Sequence, residues 1–271
     1  MLAVRITVIG IIFFLSPTAF ATILFSAPPR EKAAIGEKYY GPIADALSEI
    51  LGEKVVYEHP KSWIQYARDM RLGRYDIVFD GPHFAAWRMK NIQHVPIVRL
   101  KGNLHFYILA KKQDIAIKSM INLVGSGICG LASPNLGTVS VFELYENPIV
   151  QPNINIIKGG MRKVLRKFLD GECRAAVVRD KLYNKLSSGQ KSKIKIVAKS
   201  KKMPNQSITV NLRLKKSTRD KIKAFFLSGQ GVAASDNLMD RFSKKNKVWI
   251  ATSKKEFKGL EYLLEGIVYG W

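Results

Sequence analysis

The sequence predicts an α/β fold in two lobes, each a mostly parallel sheet flanked by helices. Three observations carry that prediction. Strand, loop and helix alternate twice in each half of the chain, the pattern of parallel sheets with covering helices. A polar connector, Lys111-Lys112-Gln113-Asp114, separates the halves. Between Tyr75 and Trp87 lie a short apolar strand, a Gly-Pro break and a helix start. That unit is where α/β folds place ligands, because N–H groups without intrahelical partners face the crevice beyond the strand ends.

The elements follow in order. Ile23-Leu24-Phe25-Ser26 reads as a first strand, stopped by Ala27-Pro28-Pro29. Ile35, Tyr39, Ile43, Ala46, Leu47, Ile50 and Leu51 recur at helical spacing, and Gly52 fits the stop. Pro42 belongs in the first turn of that helix or kinks it. Val55-Val56-Tyr57 is the second strand. Lys61 to Leu72 is the second helix, with Trp63, Tyr66, Ala67 and Met70 on one face. Ile77-Val78-Phe79 is a buried strand, and Pro82 is tolerated where the helix from His83 begins. Val95 to Leu100 is a strand, and Leu104 to Ala110 a longer apolar run.

The second half repeats the theme. Ser119 to Leu123 is a helical turn, Gly127 to Ala132 a strand, Ser133 to Thr138 a loop, and Val139 to Tyr145 a helix. Ile154 to Ile157 is a strand, Met161 to Leu169 a helix with Val164, Leu165, Phe168 and Leu169 inward, and Arg174 to Val178 another strand. Lys193 to Ala198 and Ile208 to Leu212 follow as strands, the latter returning the chain to the first lobe. Ser217 with Asp220 three residues on resembles a capping box. Phe242, Trp249, Phe257, Leu260, Leu263 and Leu264 suggest helices packed on a lobe. The expected divisions are residues 22–110 for the first lobe, 111–199 for the second, and 200–271 for the return and C-terminal helices.

Residues 1–21 read as an export signal. Arg5 is the positive n-region, Ile6 to Leu15 the apolar run and Ala19-Phe20-Ala21 the cleavage site. Export to the periplasm is therefore expected. It gives Cys129 and Cys173, the two cysteines, an oxidising compartment and the option of one disulfide. Two separate buried thiols are the alternative.

Net charge is +23, from 44 basic and 21 acidic side chains, which suggests an anionic partner. The basic residues are scattered, and no aromatic-interleaved basic motif points to nucleic acid. With 47% hydrophobic residues the chain has enough apolar side chains for a packed core.

Motifs for catalysis are missing. Gly125-Ser126-Gly127-Ile128-Cys129-Gly130 matches G-x-G-x-x-G, but its glycines lead into a strand rather than opening a helix. His59, His83, His94 and His105 show no metal spacing. No nucleophile elbow, H-E-x-x-H or C-x-x-C occurs. No cofactor, no metal and no enzymatic activity are expected. Ser133-Pro134-Asn135-Leu136-Gly137-Thr138 is better placed for binding. Hydroxyls, an amide and free N–H groups at a helix start suit an oxyanion, although an ordinary cap and turn has the same residues. Arg179, at a strand's carboxyl end, can grip an oxyanion bidentately or form a surface ion pair with Asp180.

With these elements in place, the chain from Ile23 to about Leu186 resembles the phosphate/phosphite/phosphonate substrate-binding proteins of ABC transporters. The resemblance rests on Tyr40-Gly41-Pro42-Ile43-Ala44-Asp45-Ala46-Leu47 with Leu51-Gly52, on Gly73 to Pro82, and on Met161 to Leu182. It implies the two-lobed class II periplasmic-binding-protein fold. It also implies a small anionic ligand held at the hinge and delivered to an inner-membrane ABC permease, or presented to a membrane sensor. By position, Tyr40, Gly81, Pro82 and His83 would line the first lobe. Tyr107 would lie near the crossing strands, and Ser133, Asn135 and Thr138 would meet the anionic head group. Two departures matter. Met161 stands where many phosphonate binders have histidine, and Arg179 replaces an acidic residue facing the ligand's amino end. A small oxyanion without a free amine is therefore expected, bound by a monomer.

Overall fold

The structure is a computed structural model that describes residues 22–145, 147 and 149–265. The expected export signal lies outside the described residues. The first part of the chain runs β1 (Ile23–Ser26), α1 (Ala33–Leu51), β2 (Val55–Glu58), α2 (Trp63–Arg71), β3 (Ile77–Asp80), α3 (Pro82–Asn91) and β4 (His94–Leu100). The middle part opens with β5 (Asn103–Leu104), β6 (Phe106–Lys111), a 3-10 turn at Met120–Leu123, β7 (Gly127–Gly130) and α4 (Leu136–Phe142). It continues through β8 (Asn153–Ile156), α5 (Met161–Leu169), β9 (Ala175–Arg179), α6 (Asp180–Asn184), α7 (Ser188–Lys191) and β10 (Ile194–Lys199). The last part is β11 (Met203–Pro204), β12 (Ser207–Asn211), α8 (Lys216–Leu227), α9 (Gly229–Ala234), α10 (Asp236–Phe242) and β13 (Trp249–Ala251). Two 3-10 turns, Lys254–Phe257 and Glu261–Leu264, follow it.

Two sheets form the lobes, in the orders β13-β4-β12-β3-β1-β2 and β10-β6-β9-β7-β8. Each is parallel on one side, where β1 joins β2 and β3, and β7 joins β8 and β9. Each is antiparallel on the other side. The chain passes between lobes twice. It leaves through β5 and returns through β11, and these two segments pair antiparallel, Met203 opposite Leu104 and Pro204 opposite Asn103. β6 already belongs to the second sheet, so the outward passage lies before Phe106 and not at the polar connector Lys111 to Asp114.

The first-lobe core explains why α1 sits where it does. Tyr40, Ile43, Ala44 and Leu47 follow the i, i+3, i+4, i+7 rule and are buried against Phe25, Ile77 and Phe79. Pro42 lies inside α1, not in its first turn. The helix stops at Gly52, whose φ of 67° is left-handed and whose N–H reaches Ser48 O at 3.0 Å. On the opposite face of β3, Asp80 accepts both Arg88 nitrogens, at 2.6 and 2.9 Å, and the Tyr66 hydroxyl at 2.5 Å. Thr209 accepts from Arg88 as well. Burial opposes the Arg88 charge, but the Asp80 carboxylate outweighs it and the guanidinium pKa is raised. This buried network ties the end of β3 to the helix that follows it.

In the second lobe Cys129 on β7 and Cys173 before β9 are joined in a disulfide. The literal G-x-G-x-x-G runs through a turn into β7, the context that speaks against a dinucleotide site. α8 begins at Lys216 with Lys215 as its cap and no side-chain capping bond. The expected Ser217–Asp220 box is absent because Ser217 lies inside the helix and not at its cap, and Asp220 pairs with Lys216 one turn back. Trp249, read as helical, starts the edge strand β13, paired with β4. Phe257, Leu260 and Leu263 pack with Ala85 and Ala86 of α3 and with Leu136 and Val139 of α4. Lys90 of α3 pairs with Glu265 at 2.8 Å. The C-terminal segment therefore bridges the two lobes.

Candidate functional site

Parallel strands expose one set of ends, and here the two sets face each other. β3 ends at Asp80, and Gly81 caps α3 with Pro82 in its first turn. β7 ends at Gly130, and the loop to α4 carries Ser133 and Pro134. His83 Nε2 meets Pro134 O at 3.0 Å, a bond from one lobe to the other. A carbonyl can only accept, so Nε2 carries the hydrogen and Nδ1 of the neutral ring is an open acceptor. Burial is the chief cause that pushes the His83 pKa down to about 4, so the ring is neutral at neutral pH. Gly81 is required beneath it, since a Cβ there would come within 2.9 Å of the imidazole.

On the first lobe the turn after β1 brings Arg30 and Glu31 to the same end. The Arg30 guanidinium lies 5.7 Å from the Phe242 ring centre, and Phe242 touches Phe79 with centroids 5.2 Å apart. Tyr40 packs on Phe79 from the α1 side at 5.9 Å. Ser207 opens β12 directly opposite Asp80. Several of these groups carry buried polar atoms without a hydrogen-bond partner: Arg30 Nη1, Tyr40 Oη, His83 Nδ1 and Ser207 Oγ. Burial raises the Tyr40 pKa well above its ordinary value, and Arg30 partly offsets this, so the phenol stays protonated and able to donate. Arg30 also acts on His83 electrostatically. Glu31 Oε1 likewise has no hydrogen-bond donor, but its charge is held by Arg241 at 3.4 Å.

The second lobe is arranged differently. The Thr138 hydroxyl donates to Leu131 O at 2.6 Å, and Asn135 accepts from Gly137 N at 3.0 Å. Phe106 and Met161 cover the start of α4 so closely that a Cβ on Gly137 would lie 3.0 and 2.9 Å from them. Arg179, the last residue of β9, lies 5.9 Å from the Phe106 ring centre and reaches Asn103 O at 3.4 Å. Its Nε is buried without a hydrogen-bond partner, and Asp180 lies 3.9 Å from that nitrogen. Burial lowers its pKa against the opposing pull of Asp180. Tyr107 alternates with Phe106 along β6 and packs on the other face of the sheet, beside Tyr183 and Lys199.

Among the expected site residues, Gly81, Pro82, His83 and the Ser133–Asn135 loop come together. Tyr40 faces the same end of the first lobe from below. Thr138 is engaged within its own loop, and Tyr107 lies apart. Arg30 and Ser207 escaped the sequence reading. Arg30 had a signal, because it follows the carboxyl end of β1 just as Arg179 closes β9.

The described model for ABC transporter phosphonate periplasmic substrate-binding proteins matches residues 25–257. Solved structures with the same fold include XAC2383 from Xanthomonas citri bound to ATP, at 10% identity and TM-score 0.69 over 89% of this chain and 96% of that one. PhnD1 from Prochlorococcus marinus in complex with methylphosphonate is similar at 14% identity and TM-score 0.62, covering 89% and 96%. A binding protein component of an ABC phosphonate transporter from Pseudomonas aeruginosa is similar at 13% identity and TM-score 0.58, covering 89% and 85%. No curated protein sequence matches the chain.

Proposed function

The chain belongs to the periplasmic substrate-binding proteins of phosphonate ABC transporters, a family of solute binders and not of enzymes, and from that premise we propose which solute it captures. The ligand is a small oxyanion of the phosphate or phosphonate type without a free amine. It is held where the two sets of strand ends face each other and handed to an inner-membrane permease. The mature protein acts in the periplasm as a monomer, after removal of residues 1–21.

One observation supports this reading above the others. Buried polar atoms without hydrogen-bond partners gather at the facing ends of both parallel strand sets, Arg30 Nη1, Tyr40 Oη, His83 Nδ1 and Ser207 Oγ on one side and Arg179 Nε on the other. Unpaired buried polar groups are costly, by about 1–3 kcal/mol each, and a bound oxyanion is a partner that relieves several at once. Two guanidinium groups in that set favour an anion, because a protonated amine has no acceptor to offer and a neutral solute brings no counter-charge.

Thermal unfolding with phosphate, phosphite, methylphosphonate, an aminoalkylphosphonate, sulfate and a few dicarboxylates tests the reading. A ligand at about 100 times its dissociation constant stabilises the protein by about 2.7 kcal/mol. The expected outcome is a selective shift with a non-amino phosphorus oxyanion. Equal small shifts from every anion, or the strongest shift from the aminoalkylphosphonate, would sink it.

A further inference from the structure

We propose that the outer flank of the second lobe, built on α5 with a lysine-lined groove at its end, docks on the anionic phospholipid headgroups of the membrane. The inference goes beyond the solute-binding reading and does not depend on which solute is carried. It uses only the family's place beside a membrane transporter.

Charge is unevenly divided along the chain. Residues 22–104 hold twelve basic and nine acidic side chains, whereas residues 158–195 hold twelve basic and three acidic in under half the length. The fold gathers much of that excess on one face. Successive residues of a strand point to opposite faces of its sheet. In the second sheet Ile108, Ala110, Ala175 and Val177 pack toward α4, while Leu109, Ala176 and Val178 pack toward α5. Val164, Leu165 and Phe168 are the buried stripe of α5. Its outward side is Arg162, Lys163, Arg166 and Lys167, two rows at i, i+4 spacing with no acidic residue between them. Lys167 pairs with Glu172, but Arg162, Lys163 and Arg166 make no ion pair among the described residues. α6 packs on the same sheet face through Leu182 and adds the exposed Lys181 and Lys185.

At the end of α5 this face meets a cavity of about 530 Å³, lined by Lys111, Lys112 and Lys193 and by no acidic side chain. Lys111 Nζ donates to Leu169 O at 3.2 Å, which holds its ammonium there. Three ammonium groups around an open cavity suit a phosphate group. The rest of the face offers charge and little else. No large apolar side chain is exposed among residues 157–211. The Tyr183 ring is packed edge-on against Tyr107, with Lys191 over it. A protein partner docks on an apolar or aromatic core, and a single strand of nucleic acid on aromatic platforms. A lipid surface asks only for Lys and Arg within reach of its negative potential.

Flotation of the purified mature protein with vesicles tests the proposal. The vesicles are phosphatidylcholine alone or with about 30% phosphatidylglycerol, at about 0.1 M salt. Binding is expected to the anionic vesicles only. Arg162→Gln, Lys163→Gln and Arg166→Gln combined are expected to weaken it by at least about tenfold. Lys215→Gln, Lys221→Gln and Lys223→Gln combined, at α8 of the first lobe, remove as much charge and are expected to cost under about threefold. Arg162→Lys with Arg166→Lys keeps the charge and is expected to bind within about twofold of the wild type. Lys112→Gln with Lys193→Gln tests the groove independently, with a loss of at least about threefold expected, and it carries the test if the α5 triple variant fails to fold. Equal losses from the α5 and α8 sets would overturn the proposal, because net charge and no preferred face would then be at work. Binding to phosphatidylcholine alone, or none to the anionic vesicles, would overturn it too. Retention by polyglutamate without vesicle binding would move the face to an acidic protein partner. Displacement from the vesicles by inorganic phosphate at constant ionic strength would assign the groove to a soluble anion and overturn its lipid role.

Discussion

His83 and His94 give the fold a pH dependence that can be worked out from their surroundings. In the unfolded chain an imidazole titrates near 6.5. In the fold, burial pushes His83 down to about 4, with Asp80 and the Pro134 carbonyl opposing and Arg30 and Arg88 assisting. Burial, then the Arg88 charge, takes His94 well below its ordinary value, while its bond to Tyr75 O opposes. Between these values the unfolded chain takes up protons that the folded chain refuses. Stability is therefore complete above about pH 6.5 and falls as pH drops toward 4, by about 3 kcal/mol for His83 alone. Urea midpoints at several pH values check this, and a flat profile between neutrality and the carboxylate range would refute it. A second residue-scale prediction concerns the pair at the end of β3. Asp80→Asn leaves Arg88 charged and buried without its counter-ion, at an expected cost of about 3–5 kcal/mol. Adding Arg88→Met is expected to recover part of that loss in the same urea measurement. At this scale the sequence was half legible. Gly81, Pro82 and His83 were readable because glycine and proline mark a strand-to-helix turn. Arg30 and Ser207 were not singled out, because their burial and missing partners arise only when α10 and β12 return from far along the chain.

Among the elements, the disulfide makes the clearest prediction. Cys129 and Cys173 are separated by 44 positions and tie β7 to the turn before β9. A loop of that length stabilises by about 4 kcal/mol if chain entropy alone acts. The double variant Cys129→Ala with Cys173→Ala is expected to lower the unfolding free energy by roughly 2–4 kcal/mol. A loss under half a kcal/mol, as measured by guanidinium titration, would contradict it. The helices and parallel strands were legible because their apolar periods are strong, and Met161–Leu169 begins and ends where its spacing puts it. The tail was not. Trp249 sits in a three-residue edge strand, too short for period-two alternation to declare itself, and its assignment depends on pairing with β4 far back in the sequence. Sheet membership failed for the same reason at β6, whose apolar run reads alike whichever sheet receives it.

At the scale of the whole molecule, the net charge of +23 and the proposed site between the lobes make separable demands. Charge spread over an exposed surface attracts anions weakly and is screened by salt within about 10 Å at 0.1 M. Binding by buried groups at the facing strand ends, as proposed, is screened far less. Affinity for the selected oxyanion is therefore expected to change by less than about threefold between 0.05 and 0.3 M sodium chloride. A steep decline in calorimetric affinity would show that the surface and not the enclosed site does the binding. Two lobes with alternating elements were legible from the whole sequence. The way the C-terminal segment lies across both was not, since hydrophobic spacing in Phe257, Leu260 and Leu263 says that they are buried without saying by what.

The pairing of β5 with β11 also limits how the lobes can travel. Met203 opposite Leu104 and Pro204 opposite Asn103, with Asn205 Nδ2 donating to Lys101 O at 3.1 Å, make the two passages one laddered ribbon. A ribbon bends and twists more readily than it shears, because sliding one passage past the other would break the ladder rung by rung. Any swing of the lobes about it must also carry the C-terminal segment that lies across both. Arg179, whose guanidinium reaches Asn103 O at 3.4 Å, stands beside that ribbon. His83 and Pro134 meet across the gap at its other side.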